Sequence, residues 1–177
     1  ISIAKDNGLY VTKTQIDALG ERKRLPSGES LVYFDEKNSL VYKVRNPFAK
    51  SNLKRLHSQD VIYEHLVHNM LFPNTRYKFV GIGEEYGEVR LVLSQPYISD
   101  KYPVPSMNRI ESYLQDGLGL KKEDRYYYGN EWLSVTDVSY EGDNVLADDD
   151  CLFFIDPIIM LKYPAIEVLG HYYGLIT

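Results

Sequence analysis

Two apolar runs rich in β-branched and aromatic residues, "LVYFD" (31–35) and "LVYKV" (40–44), flank the polar tetrad "EKNS". This is the pattern of a β-hairpin. Downstream, Leu53, Leu56, Tyr63, Val67, Met70 and Leu71 recur at spacings of three and four, which predicts a helix over about 53–71. Ser51 or Asn52 can cap it, and Pro73 ends it. Two further strands, 77–85 and 88–98, join near Gly87, so the sheet reads as antiparallel.

The second half of the chain has a different texture. "SDKYPVP" (99–105), with two prolines and little apolar content, reads as a linker. Ser106 then opens a second helix over 107–118, with Met107, Ile110, Tyr113 and Leu114 on one face. "RYYYGN" and "EWLSVTDV" predict a hairpin turning at Gly129–Asn130, and "NVLAD" and "CLFFID" another turning at 148–150. The apolar tail from Pro157 is expected to pack on the body. At the other end, 2–19 begins as a short helix, turns at Asn7–Gly8 and continues as mixed structure, and "LPSGES" (25–30) is a loop.

Composition narrows the classes. A chain of 177 residues makes one domain, or two small lobes sharing a cleft, and 44% hydrophobic residues with 16 tyrosines supply a continuous core. A formal charge of -5 argues against a general polyanion binder, so no nucleic-acid partner is expected, and "ERKR" (21–24) reads as a solvated face. The single cysteine, Cys151, excludes an intrachain disulfide framework and fits a reducing compartment. It neighbours "LFF" and reads as a buried, inert thiol. No apolar stretch reaches about 18 residues and the first residues lack a basic segment followed by an apolar run, so no membrane span or leader is expected.

Lys43 interrupts a strand whose other members want burial, so its ammonium needs a partner. Glu64 is the first candidate, on a helical face with His57, Asp60, His68 and Leu71, and Asp60 is the alternative. A strand lysine paired to an acid on the next helix is one way of holding the phosphates of ATP; a structural ion pair or a lysine reaching the strand edge is the other reading. Seven acidic residues crowd 135–157. Asn144 opens one strand of that stretch and Asp156 closes the next, and both offer the oxygen ligands a hard cation takes. Asp148, Asp149 and Asp150 lie at the turn between them and read as solvent-facing.

The segments "IDALGERKRLPSGESLVYFDEKNSLVYKVRN", "LVHNMLFPNTRYKFVGIGEE", "LVLSQPYI" and "DVSYEGDNVLADDDCLFFIDP" occur in an order that resembles the kinase-like domain of polyvalent proteins from bacterial phages and conjugative elements. The resemblance implies an α+β, compact protein kinase-like fold: an antiparallel sheet N-lobe with one long helix over 1–97, then a reduced C-lobe of helix and β-hairpins over 98–177. It implies ATP and magnesium as cofactors, a nucleotide and a protein partner or protein substrate as ligands, and a cytoplasmic role in mobile-element biology. Carried over by position, Lys43 binds phosphate, Glu64 holds the lysine, Asn144 and Asp156 hold metal, Gly28 and Ser30 belong to the phosphate loop, and Gln95 to Tyr97 form a hinge touching adenine.

Departures from the pattern bear on activity. Ser139 stands five positions before Asn144, where kinases carry the aspartate base, and a serine hydroxyl cannot fill that role near neutral pH. Asp137, two positions earlier, is the displaced candidate. Gly28 is the only glycine of its loop, where Ser27 and Ser30 could donate hydroxyls, and "PII" follows Asp156 in place of Phe-Gly. These departures favour a degenerate, pseudokinase-like binding module over the alternative, an active Ser/Thr/Tyr kinase-like phosphotransferase using Asp137. Other chemistries find less support. "EHLVH" has histidines three apart with the glutamate outside, unlike a zinc protease, and neither Ser94 nor Ser139 sits in a nucleophile-elbow turn.

Overall fold

The strands of the first half pair into one sheet whose two faces have different chemistry. The computed structural model describes residues 1–23, 30–47, 59–138 and 144–172. The chain divides into two compact units, one of Ile1–Gln59 with Arg76–Tyr97, the other of Asp60–Thr75 with Ile98–Thr177. The loop reading at 25–29 and the start of the predicted helix at 53–58 lie outside the described residues.

In the first unit, β1 (Tyr10–Val11), β2 (Glu21–Lys23), β3 (Ser30–Asp35), β4 (Leu40–Arg45), β5 (Lys78–Glu85) and β6 (Glu88–Pro96) form a six-stranded sheet in the order β1-β5-β6-β4-β3-β2. Pairing is antiparallel, as the hairpin patterns predict, except that β1 lies parallel to β5. That one parallel contact needs a bare backbone: a Cβ at Gly83 would stand 2.7 Å from Ile16 Cδ1 and 2.9 Å from the Val11 carbonyl. The β5–β6 turn places Tyr86 and Gly87 at φ 53° and 76°, the left-handed pair that a two-residue hairpin requires.

Two short helices flank β1 along the chain, α1 (Ser2–Asp6) and α2 (Lys13–Asp17). Thr12 caps α2 reciprocally with Gln15, which fixes a helix too short to be stable by propensity. Its Ile16 packs with Val11, Tyr33, Val44 and Val92 to cover one face of the sheet. Residues that pair directly or lie two apart share a face. The register therefore puts Lys43, Leu93 and Gln95 on the opposite face, where all three are buried.

The second unit begins with α3 (Gln59–Leu71) from Asp60 onward, followed by a 3-10 turn, Pro73–Thr75. The second predicted helix is present as α4 (Met107–Ser112), with the Ser106 side chain capping the Arg109 amide. It relaxes into one π-helical turn, Tyr113–Gly117, closed by Leu118 N–H to the Tyr113 carbonyl. Tyr113 donates its hydroxyl to the Leu71 carbonyl at 2.8 Å, satisfying an acceptor at the end of α3.

Strands β7 (Lys121–Asp124), β8 (Tyr127–Gly129) and β9 (Leu133–Thr136) form a meander. β10 (Val145–Ala147) and β11 (Leu152–Phe154) form a separate hairpin. The apolar tail contributes β12 (Ile158–Leu161), which pairs with β9, and α5 (Tyr163–Tyr172). Ile110 and Leu114 of the predicted helix face are fully buried in a core that also takes Val67, Val135, Val145 and Phe154. Phe154 stacks on Phe72 at 4.3 Å between ring centroids. Burying each such side chain contributes about 1.5–3 kcal/mol. Mixed helix and strand content makes the chain α+β.

Candidate functional site

Two ladders of the second unit converge on the acidic stretch. In the hairpin, Val145 pairs with Phe154, and the Ile155 amide donates to the Asn144 carbonyl at 2.7 Å, so Asn144 stands opposite the residue before Asp156. In the other ladder, Thr136 at the end of β9 pairs with Ile158 at the start of β12. Asp137 thus leaves β9 where the chain from Asp156 enters β12. A side-chain bond closes the group: Asn144 Nδ2 donates to the main-chain carbonyl of Asp137 at 3.2 Å.

Asp137 takes φ 61°, a left-handed conformation that costs a non-glycine residue free energy. It keeps access to solvent, yet burial of its carboxyl by neighbouring groups raises its pKa from the ordinary aspartate range. The hydrogen bond from the Asn144 side chain opposes that rise, and the charge of Asp156 adds to it. Asn144 and Asp156 could supply an amide oxygen and a carboxylate, the kind of oxygen donors that a hard cation takes. The amide nitrogen of Asn144 is engaged with Asp137, so its oxygen is the end suited to a cation.

Main-chain support for this group comes from two sides. Thr75 Oγ1 donates to the Phe154 carbonyl at 2.6 Å, two residues before Asp156, and Thr75 is fully buried. At the hairpin tip, Asp148 Oδ1 accepts from the amides of Asp150 and Cys151, while Asp149 and Asp150 are exposed, as their turn position predicts. Arg109 donates to the carbonyls of Asp148, Asp149 and Cys151. Cys151 is a free thiol and only half-buried, because its place at the turn leaves one side open, whereas the sequence suggested burial.

In the first unit, Lys43 is 6% exposed and its Nζ donates to the Tyr77 hydroxyl at 2.8 Å. The same ammonium lies 5.1 Å from the centre of the Tyr77 ring. Gln95 is buried, while Tyr97 is exposed, tilts against Phe34 at 4.4 Å and donates its amide to the Ser39 carbonyl. Ser30 opens β3 opposite Arg45.

Glu64 is half-buried on α3. Gly28, Ser27, His57 and Ser139 lie outside the described residues, as does the side chain of Asp60. His65 and His68 are buried with ring nitrogens against main-chain oxygens, Nδ1 of His65 on Val61 and Nε2 of His68 on Thr75. The sequence did not single out Tyr77 or Thr75. Each acts through a partner distant along the chain, and only pairing in three dimensions reveals it. No described helix is long and apolar enough to cross a membrane.

The family model described as a serine/threonine/tyrosine kinase found in polyvalent proteins matches residues 1–163. No curated protein and no solved structure matches the chain. With all but the last 14 residues matched, the chain belongs to the kinase family found in polyvalent proteins.

Proposed function

We propose that this member of the polyvalent-protein kinase family is an active phosphotransferase using ATP and magnesium, with Asp137 as the base. The observation that carries the reading is the bond from Asn144 to Asp137, in a segment where Asp137 and Asp156 are close enough for their charges to interact. A base two residues further from Asn144 than the family pattern expects would be displaced in an extended chain. The left-handed backbone at Asp137 and its tie to Asn144 support a role for Asp137 despite that displacement.

In this reading Asn144 and Asp156 hold the cation through oxygen, and Lys43 offers its charge to phosphate, with Glu64 as a second holder of the lysine. Gln95 to Tyr97 meet the base of the nucleotide, and Gly28 and Ser30 serve the phosphate loop. Bound ATP with magnesium supplies the transferable phosphoryl group and its countercharge. Asp137 then accepts the proton of the acceptor hydroxyl, a task that a carboxylate with a raised pKa performs better than an ordinary one. A protein substrate, a cytoplasmic setting and a role in mobile-element biology complete the proposal.

A second reading, a pseudokinase that binds nucleotide or a protein partner without turnover, is favoured by Ser139 at the expected base position. Two measurements separate them. A thermal-shift titration with ATP, with and without magnesium, is expected to stabilise the wild type by about 2.7 kcal/mol at a hundredfold excess over the dissociation constant, and to lose the magnesium-dependent part in Asp156→Ala. Transfer of the terminal phosphate of ATP to water or to a protein acceptor is expected to vanish in Lys43→Met. Full transfer by Asp156→Asn would overturn the phosphotransfer reading, and binding without any transfer would leave the pseudokinase.

A further inference from the structure

Lys43 lies on β4 and Tyr77 immediately precedes β5, and the register explains why they meet. Lys43 of β4 pairs with Leu93 of β6, which pairs in turn with Phe79 of β5. Tyr77 lies two residues before Phe79, so all four side chains share one face of the sheet. β4 and β5 are separated by β6, a gap of ~10 Å at ordinary strand spacing. A lysine and a tyrosine, extended toward each other over Leu93, close that gap, and the observed bond of 2.8 Å is the result. Tyr77 is itself 7% exposed, so its hydroxyl is held where the ammonium ends.

We infer that Tyr77 is a positioning residue for Lys43, presenting a neutral hydroxyl oxygen that holds the end of the buried ammonium in place. A carboxylate holder stabilises a lysine at the cost of competing with an incoming phosphate for the same positive charge. A phenol does not compete in that way. Its oxygen accepts one N–H, and Tyr77 itself adds no negative charge that an incoming phosphate would have to displace. The inference deepens the phosphotransfer reading, and rests on it only for the role of phosphate.

The test measures acylation of Lys43 by an amine-selective reagent, followed by mass spectrometry across a pH series, in the wild type and in Tyr77→Phe. Phenylalanine keeps the ring and removes the acceptor. A buried ammonium that loses a hydrogen-bond acceptor loses its proton more readily. The labelling profile is therefore expected to move to lower pH, with labelling near neutral pH roughly tenfold faster and the alkaline plateau unchanged. The affinity for ATP is expected to weaken roughly tenfold in the same variant.

An unchanged profile in a folded Tyr77→Phe protein would overturn the inference. If Tyr77→Phe fails to fold, Lys43→Met/Tyr77→Phe decides: recovery of folding shows that the hydroxyl served the ammonium, and failure of both places the need for Tyr77 elsewhere. ATP is also expected to protect Lys43 of the wild type from labelling. Absence of protection would count against the phosphotransfer reading while leaving the profile to judge Tyr77.

Discussion

Replacing Thr75 by valine tests whether the carrier strand of Asp156 is held from outside its own hairpin. In β10–β11, the bond from the Ile155 amide to Asn144 makes that pair a hydrogen-bonded one, and antiparallel pairing alternates. The neighbouring pair, Val145 with Phe154, is then of the other kind, so the Phe154 main chain turns away from β10. Its carbonyl takes the Thr75 hydroxyl at 2.6 Å. Valine matches threonine in shape, so Thr75→Val opens little cavity and leaves a buried acceptor without this donor, a loss of about 1–3 kcal/mol. For a chain of this size that is a fall of about 3–8 °C in the melting midpoint.

Trp132, the sole tryptophan, lies between β8 and β9 in the same unit, so its fluorescence in a urea titration reads the part of the chain that matters. The expected outcome is a lower urea midpoint with the slope unchanged, because the surface exposed on unfolding stays the same. Magnesium-dependent binding of ATP should weaken in the same variant, since Asp156 follows Phe154 by two residues. A Thr75→Val protein within about 0.5 kcal/mol of the wild type would refute the reasoning, because an unpaired buried carbonyl cannot be that cheap.

Asp137→Asn should lower phosphate transfer by roughly 10²–10⁴-fold while raising the melting midpoint at neutral pH, as followed by parallel rate and thermal-shift assays. The stability sign follows from the raised pKa of Asp137, caused chiefly by burial: the group's favourable contribution is present below its unfolded pKa and is lost as pH rises through the higher folded value. The wild type thus carries a penalty at neutral pH that asparagine removes, and an equal midpoint at pH 7 would count against it. Glu123 behaves in the opposite way, because hydrogen bonds from Lys162 and Ser134 lower its pKa. Its contribution is present above the unfolded value near 4.5 and lost as pH falls through the lower folded one, so Glu123→Gln should flatten the acid limb of a urea-midpoint profile.

What the sequence made legible was local. The β3–β4 hairpin, the β5–β6 pair with its turn at Gly87, the capped helix at Ser106 and the turn of three aspartates each rest on residues within a few positions of one another. Asn144 and Asp156 were visible for the same reason, since one short hairpin joins them. The placement of Asp137 was harder to read. It depends on β12, "IIML", a short apolar run without alternation that pairs with a strand more than twenty residues earlier. The partnership of Lys43 with Tyr77 was hidden more deeply, because it needs two successive registers before the two side chains share a face. The short helix at the start, α1, and its turn at Asn7–Gly8 were legible, whereas length obscured β1 and α2, which depend on the Thr12 cap and on glycines that let the parallel strand approach.

Arg109 grips the tip of the β10–β11 hairpin through the carbonyl oxygens of Asp148, Asp149 and Cys151, atoms that every amino acid possesses. The identity of the side chains at Asp149 and Asp150 is therefore nearly irrelevant to where the hairpin's other end, with Asn144 and Asp156, comes to rest. Sequence drift at Asp149 and Asp150, unlike at Asp148, is insulated from the candidate chemistry. The corresponding fragility is concentrated in one guanidinium on α4, whose loss would release three acceptors at once.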